Sequence, residues 1–235
     1  MPLPAPVSDL LDLVLPSACP GCGGPGQLCH SCHAQLAVPP TRAAPDPVPD
    51  GLPPCLAIGE YTGVLRDLVL AYKERGRRGL ARPLGAALAP AAAWLAQGGP
   101  VLLTPVPSTR AAIRSRWMDH TALLARSAAA TLRSAGYEAG VSRLLRALPR
   151  PDSAGLSATE RATAAAAAYQ LRAGPGTARP PGPVVLLDDV LTTGSTLAAV
   201  AHRLRSVDIE ICGAIVLAAT RRRRGVIGEA QAETP

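Results

Sequence analysis

Residues 184 to 197 read Val-Val-Leu-Leu-Asp-Asp-Val-Leu-Thr-Thr-Gly-Ser-Thr-Leu, and that order leaves few folds open. Four apolar residues without alternation describe a short strand buried on both faces, as in a parallel sheet. Asp188 and Asp189 stand side by side at its carboxyl end, a hydroxyl-rich loop with one glycine follows, and an apolar helical pattern comes next. In an open α/β sheet, ligands bind at the carboxyl ends of the strands. The loop's backbone N–H groups and the N-terminus of the next helix can hold a phosphate. Thr192, Thr193, Ser195 and Thr196, grouped around Gly194, add hydroxyl donors. Asp188 and Asp189 accept hydrogen bonds only, which suits ribose hydroxyls or a hydrated cation. The set describes a site for a ribose 5-phosphate group. A strand running into an N-capped helix is the simpler alternative, but a cap needs only one Ser, Thr or Asp.

The rest of the chain fits an α/β reading. Val64, Leu65, Leu68, Val69 and Tyr72 recur at helical spacing, and Lys73 to Arg78 form a basic turn. Helical patterns run over about 80 to 96, 117 to 135, 158 to 168 and 196 to 205. Residues 101 to 106 and 209 to 218 are apolar strands, and 149 to 157 are loop-like. Strands alternating with helices predict a parallel sheet flanked by helices. Apolar residues make up 48% of the chain, yet phenylalanine is absent, so the core must pack with Leu, Val and Ala.

Near the N-terminus, Cys19-Pro20-Gly21-Cys22 and Cys29-His30-Ser31-Cys32 form two C-x2-C pairs six residues apart. Each pair makes a tight turn that aims both sulfurs at one ion, and two such turns complete a tetrahedral four-thiolate zinc site. A closed site of this kind is structural. Two disulfides, or a redox C-x-x-C, are the alternatives, and His30 or His33 could replace a thiolate. Ser8 could cap a short helix before the module. Residues 38 to 54 carry seven prolines and read as a linker or an extended covering strand. The expected organisation is a zinc module at 1–37, a proline-rich linker at 38–54, the main domain at 55–220 and a basic tail at 221–235. Cys55 and Cys212 read as ordinary buried small residues.

Several classes are excluded or disfavoured. Pro90 and Gly98 interrupt the longest apolar stretches, and none reaches the about 18 residues a membrane span needs. No Lys or Arg precedes Arg42, and Asp9 and Asp12 break the first apolar run, which makes a poor signal peptide. Leu15 to Cys19 only superficially resembles a lipoprotein box. The expectation is therefore a cytoplasmic protein with reduced thiols. The net charge of +7 favours anionic ligands. Arg221 to Arg224 read either as a solvated tail or as a nucleic-acid contact. Aromatics are only 3% of the chain, so any single-stranded DNA contact would be weak and non-specific.

The 184–197 run resembles the phosphoribosyl-pyrophosphate (PRPP) motif of the type I phosphoribosyltransferases. Together with the four-cysteine module, the chain from about Cys19 to Ala219 resembles the ComF (competence-F) family, a zinc module fused to a phosphoribosyltransferase-like domain. Ala71-Tyr72-Lys73, Thr104-Pro105-Val106-Pro107-Ser108, and Gly155-Leu156-Ser157 with Arg161 match segments of that family. The resemblance implies attack of an acceptor on C1 of PRPP with pyrophosphate leaving, assisted by Mg2+. It implies Asp188 and Asp189 as the catalytic pair at the ribose and metal, and Thr192, Thr193, Gly194, Ser195 and Thr196 around the 5-phosphate. Lys73, Arg110, Arg114 and Arg116 are candidates for the pyrophosphate side. Gly155, Leu156 and Arg161 correspond to a mobile loop over the substrate. The family name implies the other role open to such a chain, a PRPP-binding accessory protein in DNA uptake with a helicase partner. Two departures stand out: Trp117 replaces a glycine of the family pattern, and Ala164 replaces a common Asn.

Overall fold

The computed structural model describes residues 18–148, 168–172, 180 and 182–220. After a one-turn helix α1 (His30–Ala34), the order is β1 (Thr41–Ala43), β2 (Cys55–Glu60), α2 (Gly63–Lys73), a 3-10 turn (Arg78–Leu80), α3 (Ala81–Ala96) and β3 (Val101–Pro105). Then come α4 (Arg110–Arg116), α5 (His120–Ser134), β4 (Ala139–Val141), β5 (Leu145–Ala147), β6 (Tyr169–Leu171), β7 (Val184–Leu191), α6 (Ser195–Arg205) and β8 (Ile211–Ala219). Six strands form one sheet in the order β1-β2-β8-β7-β3-β4. All its pairings are parallel except that of β1 with β2. β5 and β6 make a separate antiparallel pair.

β7 is central, and its lack of alternation has a direct cause. Val185 and Leu187 face a core built with α2, α3 and α5, where Leu68, Leu84, Leu88 and Leu124 are buried. Val184 and Leu186 face a second core with Leu197, Val200 and Leu204 of α6 and Leu145 and Tyr169 of the small pair. Both faces are covered, so every position is apolar. Without phenylalanine, the helices close in on one another instead. At Gly85 on α3, a Cβ would lie 2.5 Å from Ser127 Cβ and 2.9 Å from both Ala128 N and Leu124 O on α5.

Among the described residues, the elements expected as long periodic runs are present, with shifted ends. The helix expected over 117–135 begins at His120, because Asp119 caps it by accepting from Ala122 N at 3.3 Å. The 3-residue strands β4, β5 and β6 had no sequence signal, since so short a run carries no measurable period, while β1 lies in the proline-rich stretch that also read as an extended covering strand. The helix expected over 158–168 falls outside the described residues, except for Ala168, a turn before β6. The Ser8 helix, Gly155, Leu156, Arg161 and the tail from Arg221 also lie outside them.

The proline-rich stretch enters the sheet. Thr41 to Ala43 pair with Ala57 to Cys55, and residues 44 to 54 fold back along the molecule before β2 begins. The four-cysteine module rests against the same body. A Cβ at Gly21 would lie 2.9 Å from Val64 Cγ1 of α2, Arg77 Nη2 donates to Ala18 O at 3.3 Å, and Leu36 is buried in the first core.

The α3–α5 seam gives a test. Gly85→Ala would force a Cβ into backbone atoms that cannot rotate away, at a cost of about 1–3 kcal/mol. Urea unfolding should show a lower midpoint with unchanged slope, and an unchanged midpoint would mean that the helices can separate freely.

Candidate active site

Strand parity hands the two carboxylates to opposite sides of the sheet. Asp189 continues the Val185–Leu187 side, where α2 and α5 lie. There its Oδ2 meets Lys73 Nζ at 2.6 Å and His120 Nε2 at 3.2 Å. Lys73 is the last residue of α2 and His120 the first of α5, so two helix ends converge on one oxygen. His120 is fixed further by the Tyr72 hydroxyl, which donates to its carbonyl at 2.6 Å. Asp119 beside it pairs with Arg143. Asp188 continues the Val184–Leu186 side and is half-buried. Its Oδ1 accepts from Asp189 N at 2.9 Å, and Asp189 Oδ1 accepts from Val190 N at 2.8 Å.

The two acids differ electrically. Burial, reinforced by the Asp189 charge, pushes the Asp188 carboxyl up to about 8. Burial alone would also raise Asp189. The hydrogen bond from His120 and the charge and hydrogen bond of Lys73 outweigh it and hold Asp189 well below the usual carboxylate range.

A cavity of about 510 Å3 opens over this strand end. Asp188, Asp189, Thr192, Thr196, Lys73 and Arg116 line it, so six of the sequence-predicted residues meet there. Arg116 also pairs with Glu74 at 3.3 Å. Thr193, Gly194 and Ser195 belong to the loop but do not line the cavity. The Thr193 and Ser195 hydroxyls bond each other at 3.0 Å, and Gly194 adopts the left-handed conformation, φ 73°, at the start of α6. Arg110 and Arg114 are exposed on α4, away from the cavity lining. The 104–108 segment singled out in the sequence contributes Val106, Pro107 and Ser108 to the lining, while sequence reasoning missed Thr109 and His120, which also line the cavity. Their signal was position: they follow the carboxyl end of β3, the strand beside β7. Ala147, Leu148, Ala168 and Tyr169 complete the lining. A larger cavity, about 600 Å3, lies at the amino ends of β2 and β8 against Leu56, Trp94 and Leu95, and contains none of these groups.

Trp117 takes the backbone conformation that a glycine would favour, φ 54° and ψ 21°. It closes α4 with paired bonds, Met118 N to Ile113 O at 3.2 Å and Trp117 N to Arg114 O at 3.3 Å, which is the Schellman pattern of a left-handed helix end. Its side chain is 83% exposed and its carbonyl accepts from Arg78 Nη2 at 2.7 Å. Trp117 therefore keeps the turn at the cost of backbone strain.

At the other site, the Sγ atoms of Cys19, Cys22, Cys29 and Cys32 lie within 4.8 Å of one another, with Cys22 and Cys29 at 3.4 Å. Sulfurs around one ion at zinc–thiolate bond lengths stand about 3.8 Å apart, so the cluster suits a metal such as zinc. All six cysteines are free thiols, and the four-sulfur set closes without His30 or His33.

A family model described as phosphoribosyl transferase domain matches residues 168–230. That span contains the Asp188–Asp189 strand end, the 192–196 loop and α6. The mostly parallel sheet flanked by helices agrees with a domain of that kind. No curated protein matches the chain. Among the described residues, no helix is long and apolar enough to cross a membrane.

Two variants test the division between the acids. Asp188 has a raised folded-state pKa, so its contribution favours folding at low pH and is lost as pH rises from about 4 towards 8. Asp189 is depressed, so its contribution is present above about 4 and lost below that. Asp188→Asn should raise the melting temperature, with a gain that widens between pH 5 and 8. Asp189→Asn leaves Lys73 without its buried counter-charge and should cost on the order of 3 kcal/mol at pH 7. Thermal scans at several pH values read both, and a pH-independent Asp188→Asn effect would count against the raised carboxyl. Trp117→Gly, which removes left-handed strain, should stabilise by about 1 kcal/mol. A lower melting temperature would show that the indole contributes packing that outweighs the strain.

Proposed function

We propose that the chain binds PRPP in the 510 Å3 cavity and transfers its phosphoribosyl group to an acceptor. The observation that carries this reading is the meeting, in one cavity, of a carboxylate pair, loop hydroxyls and two cations. In this reading residues 55–220 hold the phosphoribosyl chemistry. The 5-phosphate sits on the 192–196 loop, where the Thr192 and Thr196 hydroxyls, backbone N–H groups and the positive end of α6 meet it. Asp188 accepts from the ribose hydroxyls, which restores charge to a carboxyl that burial otherwise keeps protonated. Asp189 is the fixed neighbour. Lys73 and Arg116 stand on the pyrophosphate side, where negative charge grows as the C1–O bond breaks. Arg110 and Arg114 reach that side only if α4 moves. Mg2+ would neutralise pyrophosphate oxygens. The residues fit it, since Asp188 is a hard oxygen donor in the cavity and Asp189 is already occupied by Lys73. The residues around the cavity orient both ends of PRPP, and this positioning is their main contribution to rate.

The four-thiolate site would hold zinc as a structural ion in a reducing cytoplasm. A second reading, a PRPP-binding accessory protein of the ComF type acting in DNA uptake beside a helicase, is favoured by one feature. Ala147, Leu148 and Ala168 carry no side chain that could recognise a base by hydrogen bonding, which leaves the Tyr169 hydroxyl as the one polar group of that part of the lining. A weak single-stranded DNA contact through Arg221 to Arg224 would belong to that role.

PRPP with Mg2+ should raise the melting temperature, by the equivalent of about 2.7 kcal/mol at 100 times the dissociation constant. Pyrophosphate release should then appear with one of a panel of bases, and saturable binding without release from any of them would favour the accessory role. Metal analysis of the reduced protein should return about one zinc per chain. No shift with PRPP would remove both readings.

A further inference from the structure

The segment between β1 and β2 does more than join two parts of the chain. At Gly194, the missing Cβ would stand 3.2 Å from each of Pro45 Cγ, Pro49 Cγ and Leu52 Cδ2. All three atoms come from residues 45–52, and all press on the loop that Thr192 and Thr196 bring to the cavity. The segment also reaches the opposite end of α6, where Arg205 Nη1 donates to Gly51 O at 2.6 Å. α6 is thus touched at its first turn and at its last residue by one strap.

Both ends of the strap are anchored. β1 is paired to β2, and Pro54 O accepts from Ala214 N of β8 at 2.8 Å. The turn inside it is closed by Leu52 N to Pro49 O at 3.2 Å. Pro45, Pro47 and Pro49 remove backbone freedom that such a segment would otherwise lose on folding. Gly194 is held on two counts: its φ of 73° favours glycine, and its open face is filled by the strap.

We propose that residues 45–52 are a positioning element for the phosphate loop. They press Gly194 into the left-handed conformation and so keep the N–H groups that follow it aimed together before ligand arrives. Leu52, Pro45 and Pro49 touch no ligand in this account and act through Gly194. The benefit is preorganisation: a loop already ordered loses less entropy on binding. The functional part of the inference rests on the 192–196 loop being a phosphate site. The structural part does not.

The experiment has two arms on the full-length zinc-loaded protein. The first is hydrogen exchange of the ligand-free protein. Leu52→Ala and, separately, Arg205→Ala should speed exchange of the 194–198 amides about tenfold while leaving α3 unchanged. Leu52→Met, which keeps the contact, should behave as wild type. Unchanged exchange at 194–198 in both alanine variants, or equal acceleration throughout the molecule, overturns the proposal. The second arm is titration with PRPP and Mg2+. Leu52→Ala should weaken binding about tenfold through loss of preorganisation, with Leu52→Met restoring it. Affinity that stays at the wild-type level in Leu52→Ala overturns the positioning role. If the wild-type protein does not bind PRPP, the PRPP reading fails, and the exchange arm still decides the strap.

Discussion

Asp189 is where the separate parts of the molecule are tied together. It lies at the end of the central strand, and its carboxylate is 6% exposed. A charge so placed is tolerated only when it is paired. Lys73 and His120 supply the pairing from the end of one helix and the start of another. The register of α2 and α5 against β7 is therefore fixed by charge as well as by the leucines beneath. Asp188, one residue earlier on the opposite side, is relieved of that duty and remains available to a ligand. Two identical side chains in sequence thus acquire different surroundings from the pleat alone, one paired between helix ends and one facing the cavity.

Much of this could be read in the sequence, and the reason is local chemistry. The Val184 to Leu197 run contains its own strand, loop and helix start, so it needed no distant residue to be recognised. The two C-x2-C pairs likewise carry their geometry in their spacing. His120 could not be read, because its importance comes from meeting Asp189 across 69 positions of sequence. The pairing of Lys73 with Asp189 has the same origin: the basic turn was visible, but its partner was not. Arg110 and Arg114 illustrate the converse. They are the right type of residue, but the periodicity of α4 points them away from the cavity. The strands β4, β5 and β6 were too short to show a period, and tertiary pairing alone defines them.

Glycine and alanine carry structural information here that larger residues carry elsewhere. Gly85 lets α3 and α5 approach until backbone meets backbone, which is how a chain without phenylalanine fills space. Gly21 likewise lets the cysteine module approach the Val64 side chain of α2. The module therefore reads as a buttress that meets α2 at Val64. The strap over Gly194 performs a comparable function on the opposite face.

The two tryptophans have a practical consequence. Trp94 and Trp117 are the only indoles in the chain, and they are 59% and 83% exposed. Solvated indoles emit at long wavelength whether or not the surrounding protein is folded, so intrinsic fluorescence is a poor monitor of the core. Trp117, however, follows directly after Arg116, which lines the cavity. Its emission is an optical handle on the mouth of the site, and Trp94, at the far end of the sheet, serves as an internal reference.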